Sequence, residues 1–325
     1  MSEHPYEKLT LEIVMEAVET QGYLCDARLL ALNSYENRVY QVGIEDGVPL
    51  IAKFYRPDRW SIEQIQEEHQ FSLELAEADI SVIAPMADKT GETLHSFAGF
   101  SFALFERRGG YPPELDNLDN LFVLGRTLGR IHSVAKSKSF KHRISLDIEG
   151  FAIESYQFIA ENFIPQGLHP AYTSLCEHLI AAIEQRYQPN PENMMRVHGD
   201  CHVGNILWRD EVAHFVDLDD CISAPAVQDI WMLLSGERQQ QNIQLNEILE
   251  GYGEFADFNP IELNWVESLR TMRIMHYSAW LARRWNDPAF PKAFPWFNSE
   301  RYWSEHILEL REQLALIEEP PLVLY

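Results

Sequence analysis

The chain has 325 residues, 46% of them hydrophobic, and a formal charge of −24. That length suits two packed units better than one, and so large an acidic excess repels nucleic acid and anionic lipid, which sets both aside as main partners. No apolar run reaches the roughly 18 residues that a membrane span needs, and the opening MSEHPYEKLTLEIVMEAVETQGY lacks the basic start and apolar middle of a secretory signal.

A cytoplasmic protein is therefore expected. The cysteines Cys25, Cys176, Cys201 and Cys221 show no paired spacing, which points to reduced thiols.

The first hundred residues mix short strand patterns with one helix. Segments 38–42 (RVYQV) and 49–54 (PLIAKF) read as strands around the turn Glu45-Asp46-Gly47. A helix starts after Ser61, where Gln64 completes a capping box, and its apolar positions continue through Ile65, Phe71 and Leu75. A further hairpin passes through Thr90-Gly91-Glu92 to a strand at 100–105 (FSFALF).

Gly109-Gly110-Tyr111-Pro112-Pro113 is the strongest break in this half of the chain. Beyond it Leu121, Leu124, Leu128, Ile131 and Val134 recur at helical steps, with Gly125 and Gly129 small enough for a close approach beneath a catalytic loop. Further helices are predicted over 169–187, 227–250 and 262–285, and short strands near 204–208 and 212–217. The pattern predicts an α+β protein of two lobes: a small β-rich lobe over 1–108, a hinge near 106–112, and a larger, mainly helical lobe over 109–325.

The chemistry concentrates in His198-Gly199-Asp200-Cys201-His202-Val203-Gly204-Asn205 and, shortly after, Phe215-Val216-Asp217-Leu218-Asp219-Asp220. Phosphoryl transfer from ATP needs a carboxylate to orient and deprotonate the acceptor hydroxyl, and oxygen ligands that fix Mg2+ against the phosphates. Asp200 with Asn205 five residues on, and Asp217 at the end of the next strand, match that order and spacing. The same residue types also occur in ordinary capped turns.

Two other positions agree. Lys53 sits among apolar neighbours in a strand and needs an anionic partner if buried; the helix after Ser61 offers Glu68, with Glu67 as the adjacent alternative. Asp229, an acid among apolar residues, either supports the catalytic-loop backbone or His198, or caps a helix. His132 reads as a buried structural histidine. The turn Asn33-Ser34-Tyr35-Glu36-Asn37 has the polar tip of a phosphate-covering hairpin but lacks a glycine-rich motif.

Together, H-G-D-x-x-x-x-N, V-D-L-D-D and the following helix-borne Asp resemble the aminoglycoside phosphotransferase and choline kinase branch of the protein-kinase-like fold. Within that branch N-S-Y-E-N-R-V-Y at 33–40, K-F-Y-R-P at 53–57, P-A-V-Q-D-I-W-M-L-L at 225–234 and D-P-A-F-P-K at 287–292 are similar to bacterial stress-linked serine/threonine kinases. The resemblance implies a monomeric enzyme that uses ATP and Mg2+ and phosphorylates protein Ser/Thr hydroxyls. It further implies Asp200 as proton acceptor, Asn205 and Asp217 as Mg2+ ligands, Ser34 against ATP and Lys53 on its phosphates. There is no HRD arginine and no activation loop between Asp217 and Asp229.

Alternatives remain at this stage. The motifs serve any hydroxyl, so an aminoglycoside or amino-alcohol kinase fits them equally. His198, Asp200 and His202 also read as ligands of a hydrolytic metal, and a non-catalytic binding module keeps the same fold. Cys201 and Cys221 are either two buried thiols or a redox pair. Segment 268–303 carries Arg270, Arg273, Arg283, Arg284, Lys292 and Arg301 against Asp287 and Glu300, a basic and aromatic stretch in an acidic chain. It is either core or the acceptor wall, with Arg283 and Arg284 as the residues to test.

Overall fold

The computed structural model describes residues 4–32 and 34–325. The chain enters through α1 (Leu11–Thr20), capped by Thr10, whose hydroxyl accepts from the Ile13 N–H. There follow β1 (Cys25–Ala31), β2 (Arg38–Ile44), β3 (Leu50–Phe54), α2 (Ile62–Glu77), β4 (His95–Phe97) and β5 (Phe100–Glu106). The strands form one antiparallel sheet in the order β1-β2-β3-β5-β4. Ser61 and Gln64 cap α2 reciprocally, as their spacing predicts.

Strand alternation decides where Lys53 goes. Leu50, Ala52 and Phe54 face α1 in a core with Val42, Phe102 and Leu104. The intervening Lys53 lies opposite Ala103, on the face that packs Ala103 and Tyr55 against Ile65 of α2. Sequence period thus puts the lysine beneath α2, beside Glu68.

The second part is mainly helical: α3 (Leu118–Ala135), α4 (Glu154–Asn162), α5 (His169–Arg186), β6 (Met195–Val197), β7 (Ile206–Arg209), β8 (Val212–Phe215), β9 (Ile222–Ala224), α6 (Val227–Trp231), α7 (Arg238–Tyr252), α8 (Val266–Arg283), α9 (Ala289–Ala293) and α10 (Glu300–Glu318). The helix expected over 227–250 is two helices. The first stops at Trp231, and a non-helical stretch that includes Gly236, at φ +78°, separates it from Arg238 at the start of the second. The helix expected over 262–285 begins later, after a 3-10 turn over 260–265.

Helices α3 and α7 pack at backbone distance. A Cβ on Gly125 would meet the Ile248 carbonyl oxygen at 1.9 Å, so only glycine fits. The expectation that this face lies under the catalytic loop is corrected: Gly125 and Gly129 both abut α7. The helix reaches the loop through His132 instead.

The β6–β9 pair and the β7–β8 hairpin frame the site. Residues 198–205 connect β6 to β7, and 216–221 connect β8 back to β9. Both motif-bearing loops therefore span the same gap between two ladders. The amide of Val216 bonds the Asn205 carbonyl at 3.0 Å, which sets Asn205 and Asp217 at one end of the hairpin. Among the described residues no helix is long and apolar enough to cross a membrane.

Candidate active site

Lys53 is 6% exposed and surrounded by carboxylates. Its Nζ lies 3.2 Å from Glu68 Oε1, 3.0 Å from Asp217 Oδ1 and 3.2 Å from Asp219 Oδ1. Burial disfavours its charge, but those acids outweigh the burial and keep the ammonium protonated well above the ordinary lysine range. Glu68, not Glu67, is the partner from α2. Glu67 instead accepts the amide hydrogens of Lys141, His142 and Arg143.

Two arginines complete the cluster. Arg143 bonds Glu68 Oε2 at 3.1 Å and the Asp219 carbonyl at 2.6 Å. Arg59 pairs with both Asp219 and Asp220. The carboxylates of Glu68, Asp217, Asp219 and Asp220 outnumber Lys53, Arg59 and Arg143, leaving this end of the cleft with negative charge to offer a cation.

The loop after β6 is held from below. Asp229, fully buried, accepts the His198 amide at 2.8 Å and the Gly199 amide at 2.9 Å, and meets His132 Nε2 at 3.0 Å. Burial opposes its ionisation, and the His132 hydrogen bond overcomes that and holds the carboxyl below the usual range. Of the two expected roles, support of the loop backbone is the one observed. Gly199 has φ +83°, and a Cβ there would meet the Asp220 carbonyl at 2.2 Å. The glycine lets one motif loop rest against the other.

Above this support Asn205 Nδ2 donates to the Asp200 carbonyl at 2.9 Å and to its carboxylate at 3.3 Å. His202 Nε2 lies 3.4 Å from Asp200 Oδ2, and Arg273 Nη2, from α8, lies 2.6 Å from Asp200 Oδ1. Burial opposes the charge of Asp200, but the His202 bond and the Arg273 guanidinium keep the carboxyl below its ordinary range.

Asp217 stands across from this pair in the left-handed region, φ 59° and ψ 62°, a conformation Asp tolerates better than most residues. Its side chain is half exposed. Asn205 Oδ1 accepts no hydrogen bond among the described residues. An amide oxygen and an aspartate beside an excess of carboxylates are hard donors, the set that suits Mg2+. His198 does not join them: its Nε2 meets the Val216 carbonyl at 2.9 Å. Among the described residues no three His, Cys, Asp or Glu side chains converge as a metal site, contrary to what the hydrolase reading requires.

The turn between β1 and β2 reaches the other lobe. Trp280 Nε1 donates to Glu36 Oε2 at 2.5 Å, Arg284 Nη2 lies 2.9 Å from Glu36 Oε1, and Tyr35 meets the ring of Phe294 edge-on at 4.9 Å. Asp287 accepts from Arg38 and Arg56. Ser34 Oγ donates to the Asn37 carbonyl at 3.1 Å, which shapes the turn. Asn33 lies outside the described residues.

Residues 28–263 match the phosphotransferase enzyme family. The chain belongs to that family. A curated relative, stress response kinase A of Escherichia coli O157:H7, is 44% identical over 320 residues, covering 98% of this chain and 97% of the relative. Serine/threonine protein kinase RdoA of Salmonella typhimurium is 43% identical over the same shares. Among solved structures, amicoumacin kinase hAmiN in complex with AMP-PNP, Ca2+ and Ami superposes with a TM-score of 0.72 at 20% identity, over 95% of this chain and 94% of that one. A microcompartment-associated aminopropanol kinase gives 0.71 at 18%, over 95% and 97%. This phosphotransferase thus has the kinase-like fold that its motifs predict.

In this phosphotransferase the two arginines named for the acceptor wall each have another partner. Arg283 stacks over Phe158 and Arg284 grips Glu36, while Arg273 alone of that segment reaches Asp200. Arg59 and Arg143, which complete the cluster around Lys53, carry no signal in the sequence. Cys201 and Cys221 are free and buried, and burial pushes the Cys221 thiol up to about 12, the behaviour of inert thiols.

Proposed function

We propose that the protein transfers the γ-phosphate of ATP to a serine or threonine hydroxyl of a protein. The observation that carries this reading is the convergence of Asp200, Asn205 and Asp217 on one gap, with Lys53 bonded to Asp217 from the opposite lobe. Asp200 accepts the proton of the acceptor hydroxyl. Lys53, held by Glu68, moves from Asp217 onto the nucleotide phosphates, and Ser34 closes over them. The 1–108 segment thus binds nucleotide and the 109–325 segment carries the base and the acceptor.

Asn205 and Asp217 would hold Mg2+, which offsets phosphate charge during transfer. A protein acceptor is supported by the names of relatives at 43–44% identity. The superposable small-molecule kinases, at 18–20%, support the second reading, an amino-alcohol or antibiotic hydroxyl.

The test uses ATP labelled at the γ-phosphate with generic protein acceptors, choline, an aminoglycoside and aminopropanol, each run with wild type and D200A. Label in protein that depends on Asp200 is expected. Label confined to a small molecule selects the second reading, and label in neither, with intact folding, rejects both.

A further inference from the structure

One stripe of α8 runs between the two ends of the site. Arg273, Tyr277, Trp280 and Arg284 follow at steps of four, three and four residues, the spacing of a single helix face. Arg273 marks one end on Asp200, and Trp280 with Arg284 marks the other on Glu36. Between them Tyr277 is exposed, its ring stacked on Trp280 at 5.7 Å and 16°. The eleven steps from Arg273 to Arg284 rise about 16 Å at helical spacing, enough to lie along about five residues of extended chain.

Arg273 differs from the other cations here. Lys53, Arg59 and Arg143 are enclosed among several acids, whereas the Arg273 side chain is 39% exposed and pairs with Asp200 alone among the described residues. Asp217 and Asp220, the other exposed carboxylates nearby, already have Lys53 and Arg59. A half-exposed guanidinium can turn from the base to a second anion while staying within reach of both, and its planar fork suits a carboxylate or phosphate. The same charge repels an ammonium brought beside Asp200.

We infer that Arg273 selects the acceptor, receiving an anionic group next to the hydroxyl that meets Asp200 and disfavouring a cationic one. The inference rests on the proposed transfer to protein hydroxyls and gives the substrate as an acidic Ser/Thr segment lying along the α8 stripe, with an apolar contact at Tyr277. Arg273 acts as a specificity residue, and the stripe fixes the direction of the chain.

The experiment uses three peptides of one length with a single Ser flanked on both sides by Asp, Asn or Lys. Each is assayed with wild type, R273Q, R273K and R273E, alongside an amino alcohol. For wild type, kcat/KM is expected to fall from Asp to Asn to Lys, with about 10–100-fold between the extremes, the range of a charge-assisted bond. R273Q brings the three within about threefold, R273K keeps the order and R273E reverses it, while KM for ATP stays within about twofold.

A wild type that shows no preference for Asp, or an R273Q that loses rate equally on all three peptides, overturns the inference and leaves Arg273 an orienter of the base. If R273Q fails to fold, the comparison of R273K with R273E carries the same test. Transfer to peptides without charge preference leaves the protein-acceptor reading standing, whereas transfer to the amino alcohol alone overturns both.

Discussion

Arg284, just past the end of α8, holds Glu36 at the tip of the β1–β2 turn, Nη2 to Oε1 at 2.9 Å. The contact joins residues far apart in the chain and fastens the proposed phosphate cover to the lobe that carries Asp200. Trp280 grips the same carboxylate, and Arg38 and Arg56 converge on Asp287 beside it.

Loosening that fastening should act on nucleotide before acceptor. E36Q and R284Q are each expected to raise KM for ATP about three- to tenfold, in line with a partly buried charged bond. Because both cut one link, the double variant should fall well short of the product of the two effects. A double-mutant cycle on KM checks this; strict additivity would show that the two residues act separately.

Asp200→Ala should lower kcat by about 10²–10⁴, the usual contribution of a positioned base, with nucleotide affinity nearly intact. Removing the carboxylate also leaves Arg273 without its anion, so melting needs to be followed in parallel. Turnover close to wild type in a folded variant would show that another group takes the proton.

Asp217→Asn keeps the shape and the left-handed backbone but removes an anionic ligand. Nucleotide binding measured with and without Mg2+ should lose most of its metal dependence, and Asn205→Ala should show a milder form of the same loss. An unaltered response to Mg2+ in both variants would remove these residues from the metal site.

Acid pH should switch off the lysine clamp. Burial raises Glu68 from 4.5 to about 6, even with Lys53 pulling the other way. Turnover is expected to decline several-fold as pH falls from 7 to 5, because protonated Glu68 releases Lys53. Stability moves oppositely for this group: the folded state binds the proton more tightly, so its contribution is complete below pH 4.5 and is lost as pH rises through about 6. The acid loss of activity is therefore not an unfolding driven by Glu68, whose protonation favours the folded state. Parallel rate and melting profiles separate the two, and E68Q should lack the step near pH 6.

Much of this site was legible because its signals are local. The His198–Asn205 spacing, the lysine inside an apolar strand and the Ser61–Gln64 cap each lie within one element. The alternation of β3 even put Lys53 on the correct face for Glu68. Arg143 and Arg59 were not legible, since each meets its acid across a long stretch of chain and carries no pattern around itself, and Arg273 stood out only as one cation of a basic segment. The break between α6 and α7 was missed because apolar residues continue past Trp231, where helical bonding stops. Strands β6 and β9 are three residues each, too short to show alternation.

The carboxylate of Asp229 has a consequence for how the molecule breathes. Loops ordinarily trade their amide hydrogens with solvent far sooner than helices do. The amides of His198 and Gly199 are bound to a side chain with no exposure, itself bonded to His132 of α3, which in turn meets Tyr252 of α7. Those two hydrogens can escape only when the α3–α7 seam parts. In deuterated solvent these two loop amides should therefore rank with the slowest helices, and their exchange should report the opening of the helical part around them.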